Sequence, residues 1–109
     1  MGKRTGTKIA KTANQVVIRA VNAGLFYGTL VALTSVDGTM VAEMEDVRRI
    51  WYWCGAATLS QLAEEGVKVP ASCKFSMKVQ HQLVIDVIEV LDLTAEGKKS
   101  LDSVPDWKK

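Results

Sequence analysis

The sequence predicts an α+β fold: an antiparallel sheet of about five strands, one helix after the third strand and a short C-terminal helix. Three observations carry this. Period-two alternation rich in β-branched residues begins at Gln15. Asp37-Gly38 separates two such runs, as a tight hairpin turn with positive φ requires. Stretches after Gly55 and after Thr94 instead carry helical apolar spacing or capping residues.

The elements follow in order. Residues 1–14 read as a basic flexible arm, since Lys3, Arg4, Lys8, Lys11 and Arg19 precede the first acid. Such an arm is either a solvated tail or an electrostatic tether to an anion. Residues 15–109 read as a single domain, a size sufficient for its own core. The first strand places Val17, Arg19 and Val21 on one face and Val16, Ile18 and Ala20 on the other. A turn at Asn22-Ala23-Gly24 leads to a second strand, Leu25 to Thr34, and Asp37-Gly38 returns the chain through Thr39 to Met44. Glu45-Asp46 marks a bulge or a short break before an extended piece, Arg48 to Trp53. Period-two geometry there sends Arg49, Trp51 and Trp53 to one side and Arg48, Ile50 and Tyr52 to the other. Gly55 to Glu65 has a helical stripe of Ala56, Leu59, Leu62 and Ala63. Thr58 and Gln61 have capping-box spacing, so the regular helix begins either near Gly55 or only at Leu59, and Gly66 ends it. After a loop containing Pro70, Phe75, Met77 and Val79 alternate with polar residues as a half-exposed strand. Leu83 to Leu93 is apolar on both alternating sets, as a central strand is, although periodicity alone equally allows a buried helix. Thr94 caps a short helix, Ala95 to Ser103.

Several function classes are disfavoured. The longest apolar run is broken by Asp86, Glu89 and Asp92 and falls well short of the roughly 20 residues a membrane span needs. No secretory signal pattern is present, so a cytoplasmic location is expected. Cys54 and Cys73 have no second pair, which suggests neither a zinc cluster nor a disulfide framework but free thiols in a reducing compartment. Cys54 before a helix is the best nucleophile, but His81, the one histidine, falls in a polar segment read as a turn. No carboxylate pair, metal-ligand spacing or phosphate-loop motif appears. An enzyme is therefore not expected, and neither is a cofactor.

Binding is better supported. Arg48-Arg49 followed by Ile50-Trp51-Tyr52-Trp53 joins guanidinium groups, which offer planar donors to phosphate, to rings that offer stacking faces to a base. Gly55-Ala56-Ala57 let a ligand approach the backbone at the helix start, with the Thr58 hydroxyl available unless the cap consumes it. The same rings serve equally well as core, and the same arginines can pair with Glu45, Asp46 or acids of the last strand. Besides a small nucleotide ligand, two further partners fit: DNA or RNA, met by the arginine-aromatic surface and the basic arm, or another protein, met by the Phe75/Met77 strand.

The run RRIWYWCGAATLSQLAEEGVKVPASCKFSMKV, residues 48–79, with VVIRAVNAGLFYGTLV upstream and EVLDLTAEGKKSLDSVPDW downstream, resembles a family of small phage proteins, the anti-Thoeris sponges. The resemblance covers residues 15–107. It implies a phage-encoded immune-evasion protein of the host bacterial cytoplasm that captures a cyclic ADP-ribose isomer, or a cyclic oligonucleotide, without cleaving it. It also implies a homo-oligomer, dimer or higher, with ligand held between protomers. Carried over, Arg48 and Arg49 would meet phosphate, Trp51, Tyr52 and Phe75 would stack on bases, and Gly24 and Phe26 would allow close approach. Ala20-Val21-Asn22 departs from the Thr-Tyr-Ser-like segment of such relatives, which puts a contact from the first turn in doubt. The basic arm is not explained by the resemblance.

Overall fold

A computed structural model describes residues 7–11 and 14–108. It is α+β, with an antiparallel sheet and two helices. The strands are β1 (Thr7–Lys11), β2 (Gln15–Ala20), β3 (Gly24–Val36), β4 (Thr39–Tyr52), β5 (Lys74–Phe75), β6 (Val79–Ile85) and β7 (Val87–Asp92). The helices are α1 (Leu59–Glu65) and α2 (Ala95–Asp102). No helix among the described residues is long and apolar enough to cross a membrane.

The long β3–β4 hairpin, turning at Asp37-Gly38, is the spine of the sheet. Along one side of it β3 pairs with β2 and then with β1; along the other, β4 pairs with β6 and then with β5. The β1 pairing corrects part of the sequence reading. Thr7–Lys11, taken as part of a flexible arm, adds a strand beside Ala32–Ser35, because the far half of β3 extends beyond β2 and has an open edge there. The rest of the arm lies outside the described residues.

Leu83 to Leu93 is likewise not one central strand. Asp86, at φ 62°, breaks it. β6 lies beside β4 and β7 beside β2, at opposite edges of the sheet, yet Asp86 alone separates them. The sheet must therefore curl until its edges approach, and the Val21 amide closes the seam by donating to the Asp86 carbonyl at 3.0 Å. Val16, Ile18, Phe26, Met44, Val47, Val84 and Val87 fill the concave side. The helices cover the convex side over Val17, Tyr27, Ile50, Phe75, Leu62 and Leu101. One face of β2, Val16, Ile18 and Ala20, is buried along its length, while on the other Val17 is buried under the helices and Arg19 is exposed.

The Glu45-Asp46 bulge is present and sets the phase of everything after it. Tyr27 faces Arg48 while Thr29 faces Glu45, so β4 carries one extra residue there, with Asp46 at φ 50°. One added residue exchanges the faces of all side chains beyond it. Ala42 and Met44 point into the concave core before the bulge, and Val47 points there after it. Arg49 follows Val47 to the concave side, while Arg48 and Ile50 go to the helices. Gly28 completes the arrangement: a Cβ there would lie 2.9 Å from Val47 Cα, so the close approach of β3 to the bulge needs a residue without one.

Thr58 is the N-cap of α1, with its hydroxyl accepting from Gln61 N at 3.1 Å, so the helix starts at Leu59. Gly66, at φ 79°, ends it and donates to the Leu62 carbonyl at 2.9 Å. The second helix ends one residue before the expected Ser103.

Candidate functional site

The two adjacent arginines do different work. Arg48 is 3% exposed. Its Nε donates to the Ser76 carbonyl at 2.9 Å, Nη1 to the Leu101 carbonyl at 3.4 Å, and Nη2 to the Pro105 carbonyl at 3.2 Å and Asp106 Oδ1 at 3.1 Å. The Phe75 ring lies 5.1 Å beneath it. Burial lowers the guanidinium's pKa, opposed by the charge of Asp106; arginine nonetheless stays charged. Four of its five N–H groups are taken by the fold itself, and at this burial no edge of the fork is open to a phosphate. Arg48 latches the end of α2 and the residues after it to the sheet.

Arg49 has no such partners. Its guanidinium lies over the Phe26 ring at 4.9 Å and over Trp51 at 5.5 Å, and it makes no ion pair among the described residues. Its Nε is buried without a hydrogen-bond partner. An unpaired buried donor on a charged group is costly, and native structures keep few of them. Arg49 floors an open groove of about 340 Å³ that Trp51, Ser76, Val79 and Gln82 also line, within the range of small-molecule sites. Trp51 is 58% exposed. Trp107 meets it edge-on, with ring centroids 6.3 Å apart at 73°. Lys74 Nζ stands 5.2 Å from the Trp107 ring.

The other residues expected at the site divide. Phe26 is fully buried but carries Arg49 on its ring, so it shapes the groove from below. Phe75 is fully buried under Arg48 and has no face for a base. Tyr52 is exposed, with its backbone opposite Lys74, and alternation directs it away from Trp51. Thr58 is consumed as the cap, and the neighbouring Ala57 amide donates to Gln61 Oε1 at 2.8 Å, so the start of α1 offers a ligand little. Gly24, at φ 94°, has open space where a Cβ would stand and shapes only the β2–β3 turn. Trp53 turns from the strand into the helix-side cluster, its indole N–H donating to the Ala56 carbonyl at 3.3 Å.

Sequence reasoning missed Ser76 and Trp107. Ser76 stands on both arginines: its carbonyl accepts from Arg48, and its hydroxyl accepts from the Arg49 amide at 2.8 Å. Its signal in the sequence was its place after Cys73-Lys74-Phe75, where alternation brings it beside β4. Trp107 gave only the signal of an aromatic after the last helix.

Elsewhere among the described residues no other buried side-chain donor or acceptor is left unpaired. A smaller pocket of about 130 Å³ between sheet and α2 is lined by Gln15, Tyr27, Thr29, Asp46, Lys78, Lys98 and Asp102. There the Tyr27 hydroxyl donates to Asp102, Lys98 pairs with Asp102 at 2.7 Å, and Gln15 donates to Thr29. Burial alone would raise the Asp102 pKa, but those two partners hold it below its usual value. His81, read as a turn residue, lies in β6 and meets Glu43 at 2.9 Å, because the apolar phase of β6 begins at Val79 rather than at Leu83. Cys54 and Cys73 are free thiols; burial raises the Cys73 pKa, and its sulfur lies against the Cys54 backbone. Among the described residues no group of three or more His, Cys, Asp or Glu is placed to hold a metal ion.

A family model described as a domain of unknown function, DUF6948, matches residues 13–101. The chain belongs to this family. The matched span includes Arg48, Arg49, Trp51 and Ser76, and stops short of Trp107. No curated protein and no solved structure matches the chain.

Proposed function

We propose that the protein is a binder, not an enzyme, that captures a phosphorylated purine of the cyclic ADP-ribose type in the Arg49–Trp51 groove and so withholds an immune signal in the cytoplasm of a phage-infected bacterium. The observation that carries this is Arg49: a cation with an unpartnered buried donor, held between rings, at the floor of an open groove. Phosphate meets the guanidinium from the groove that Arg49 lines, the buried Nε reaching an acceptor once the side chain shifts on binding, and a base stacks on the exposed Trp51. A sequestering protein needs no general acid or base, because it gains nothing from fitting a transition state. The resemblance to the anti-Thoeris sponges supports the choice of ligand.

Purified protein expressed beside an active TIR-domain signalling enzyme, then heated, is expected to release an intact cyclic ADP-ribose isomer detectable by mass spectrometry. Release of nothing, or of a hydrolysed product, would contradict capture without cleavage. The exposed order Lys74, Trp107, Trp51, Arg49 also favours a second reading, a track for single-stranded nucleic acid. That reading requires an oligonucleotide affinity falling steeply with salt.

Assembly into a homo-oligomer is part of the proposal. Leu83 and Ile85 on β6 are 57% and 58% exposed, and Val79–Ile85 carries no Lys, Arg, Asp or Glu to discourage edge pairing. Leu83→Lys with Ile85→Lys is expected to reduce the mass measured by light scattering to that of one chain. An unchanged mass would move the contact elsewhere, and a wild-type monomer would remove it.

A further inference from the structure

Trp107 has no part in the core, yet the protein spends several interactions in placing it. The Trp107 amide donates to the Phe75 carbonyl at 2.8 Å, Asp106 bridges to Phe75, and Arg48 holds both Pro105 and Asp106. The backbone is thereby fixed while the indole remains 49% exposed, standing at 73° to Trp51. A base between two parallel rings needs them roughly 7 Å apart, twice a van der Waals contact of about 3.5 Å. Their centroids are already separated by 6.3 Å. Turning one half-exposed side chain until its ring lies parallel to the other, and opening the pair to that spacing, makes a slot.

We propose that Trp107 is the second wall of a base-binding clamp: a purine enters between the Trp51 and Trp107 rings, its phosphate meets Arg49, and Lys74 leaves the Trp107 face to meet the same charge. This deepens the nucleotide-binding reading and rests on it. Arg48 then acts as a positioning residue, since its contacts with Pro105 and Asp106 hold the segment that presents Trp107. The adjacent arginines serve opposite walls of one site, Arg49 directly and Arg48 through the C-terminal segment.

Calorimetry of the full chain with cyclic ADP-ribose, and with ribose 5-phosphate as a base-free probe, tests the clamp. Trp107→Ala is expected to weaken cyclic ADP-ribose at least fivefold, the loss of one stacking wall, with ribose 5-phosphate binding and melting temperature unchanged. Trp107→Phe is expected to restore most of the affinity. Equal cyclic ADP-ribose affinity in Trp107→Ala and wild type, with Arg49→Ala defective, would overturn the clamp and leave the groove standing. Failure of the wild-type protein to bind either probe would overturn both.

Discussion

Arg49→Ala is expected to weaken ligand capture roughly 100-fold while leaving the melting temperature within a few degrees of wild type. Hydrogen bonds to a charged group contribute about 1.5–3 kcal/mol each, and about 1.4 kcal/mol is a factor of ten in affinity. A guanidinium giving a phosphate one or two such bonds therefore dominates the binding energy. Its contribution to folding is small by contrast. Each ring contact, with Phe26 and with Trp51, stabilises by about 0.5–1 kcal/mol. The unpartnered Nε offsets that, because a buried donor without an acceptor costs about 1–3 kcal/mol. Arg49→Lys is expected to lie between, keeping the charge and losing the planar fork. Calorimetry with a thermal scan of the same samples checks both halves. A collapse in melting temperature would make Arg49 a structural residue.

Arg48→Ala is expected to show the opposite division, a large loss of stability with a secondary loss of binding. It leaves the Ser76, Leu101 and Pro105 carbonyls short of a donor and takes away the partner of Asp106. Asp106 is half-exposed and regains water, but each carbonyl left short of a donor costs about 1–3 kcal/mol and the buried stem loses its packing, about 3 kcal/mol or more in all. In a domain this small each kcal/mol moves the melting temperature by about 4–8 °C, so a fall of roughly 15 °C or more is expected. Arg48→Lys is not expected to rescue it, since one ammonium on a flexible stem cannot reach acceptors spread from the β5–β6 segment to the residues after α2. A melting temperature close to wild type in Arg48→Ala would refute the latch.

The contrast between these neighbours shows where the sequence stops being informative. Alternation was enough to say that Arg48 and Arg49 face opposite ways and that an aromatic accompanies each. Which of them faces open space was not legible, because the choice depends on the extra residue at Asp46 and on α2, distant in sequence, covering one face. The strands β2, β3 and β4 and both helices could be read because their signals are local: the Asp37-Gly38 turn, the Thr58 and Thr94 caps, and the β-branched alternation; β1, without such a signal, was taken for an arm. Leu83 to Leu93 could not. Leu83 and Ile85 before the Asp86 break, and Ile88 after it, make both alternating sets look covered, yet within one chain these three are exposed. Trp107 was equally hidden, since its position comes from a backbone bridge to Phe75 and from the Arg48 latch rather than from any pattern around it.

The chain's three tryptophans provide the most direct test of the groove. In a two-dimensional ¹H–¹⁵N spectrum of the wild-type protein titrated with cyclic ADP-ribose, the Trp51 and Trp107 indole signals and the Arg49 Nε–H signal are expected to shift together, while the Trp53 indole, bonded to Ala56 on the far side, stays in place. Saturation with all three groove signals unmoved, or shifts centred on Trp53, would show that the purine binds elsewhere or not at all.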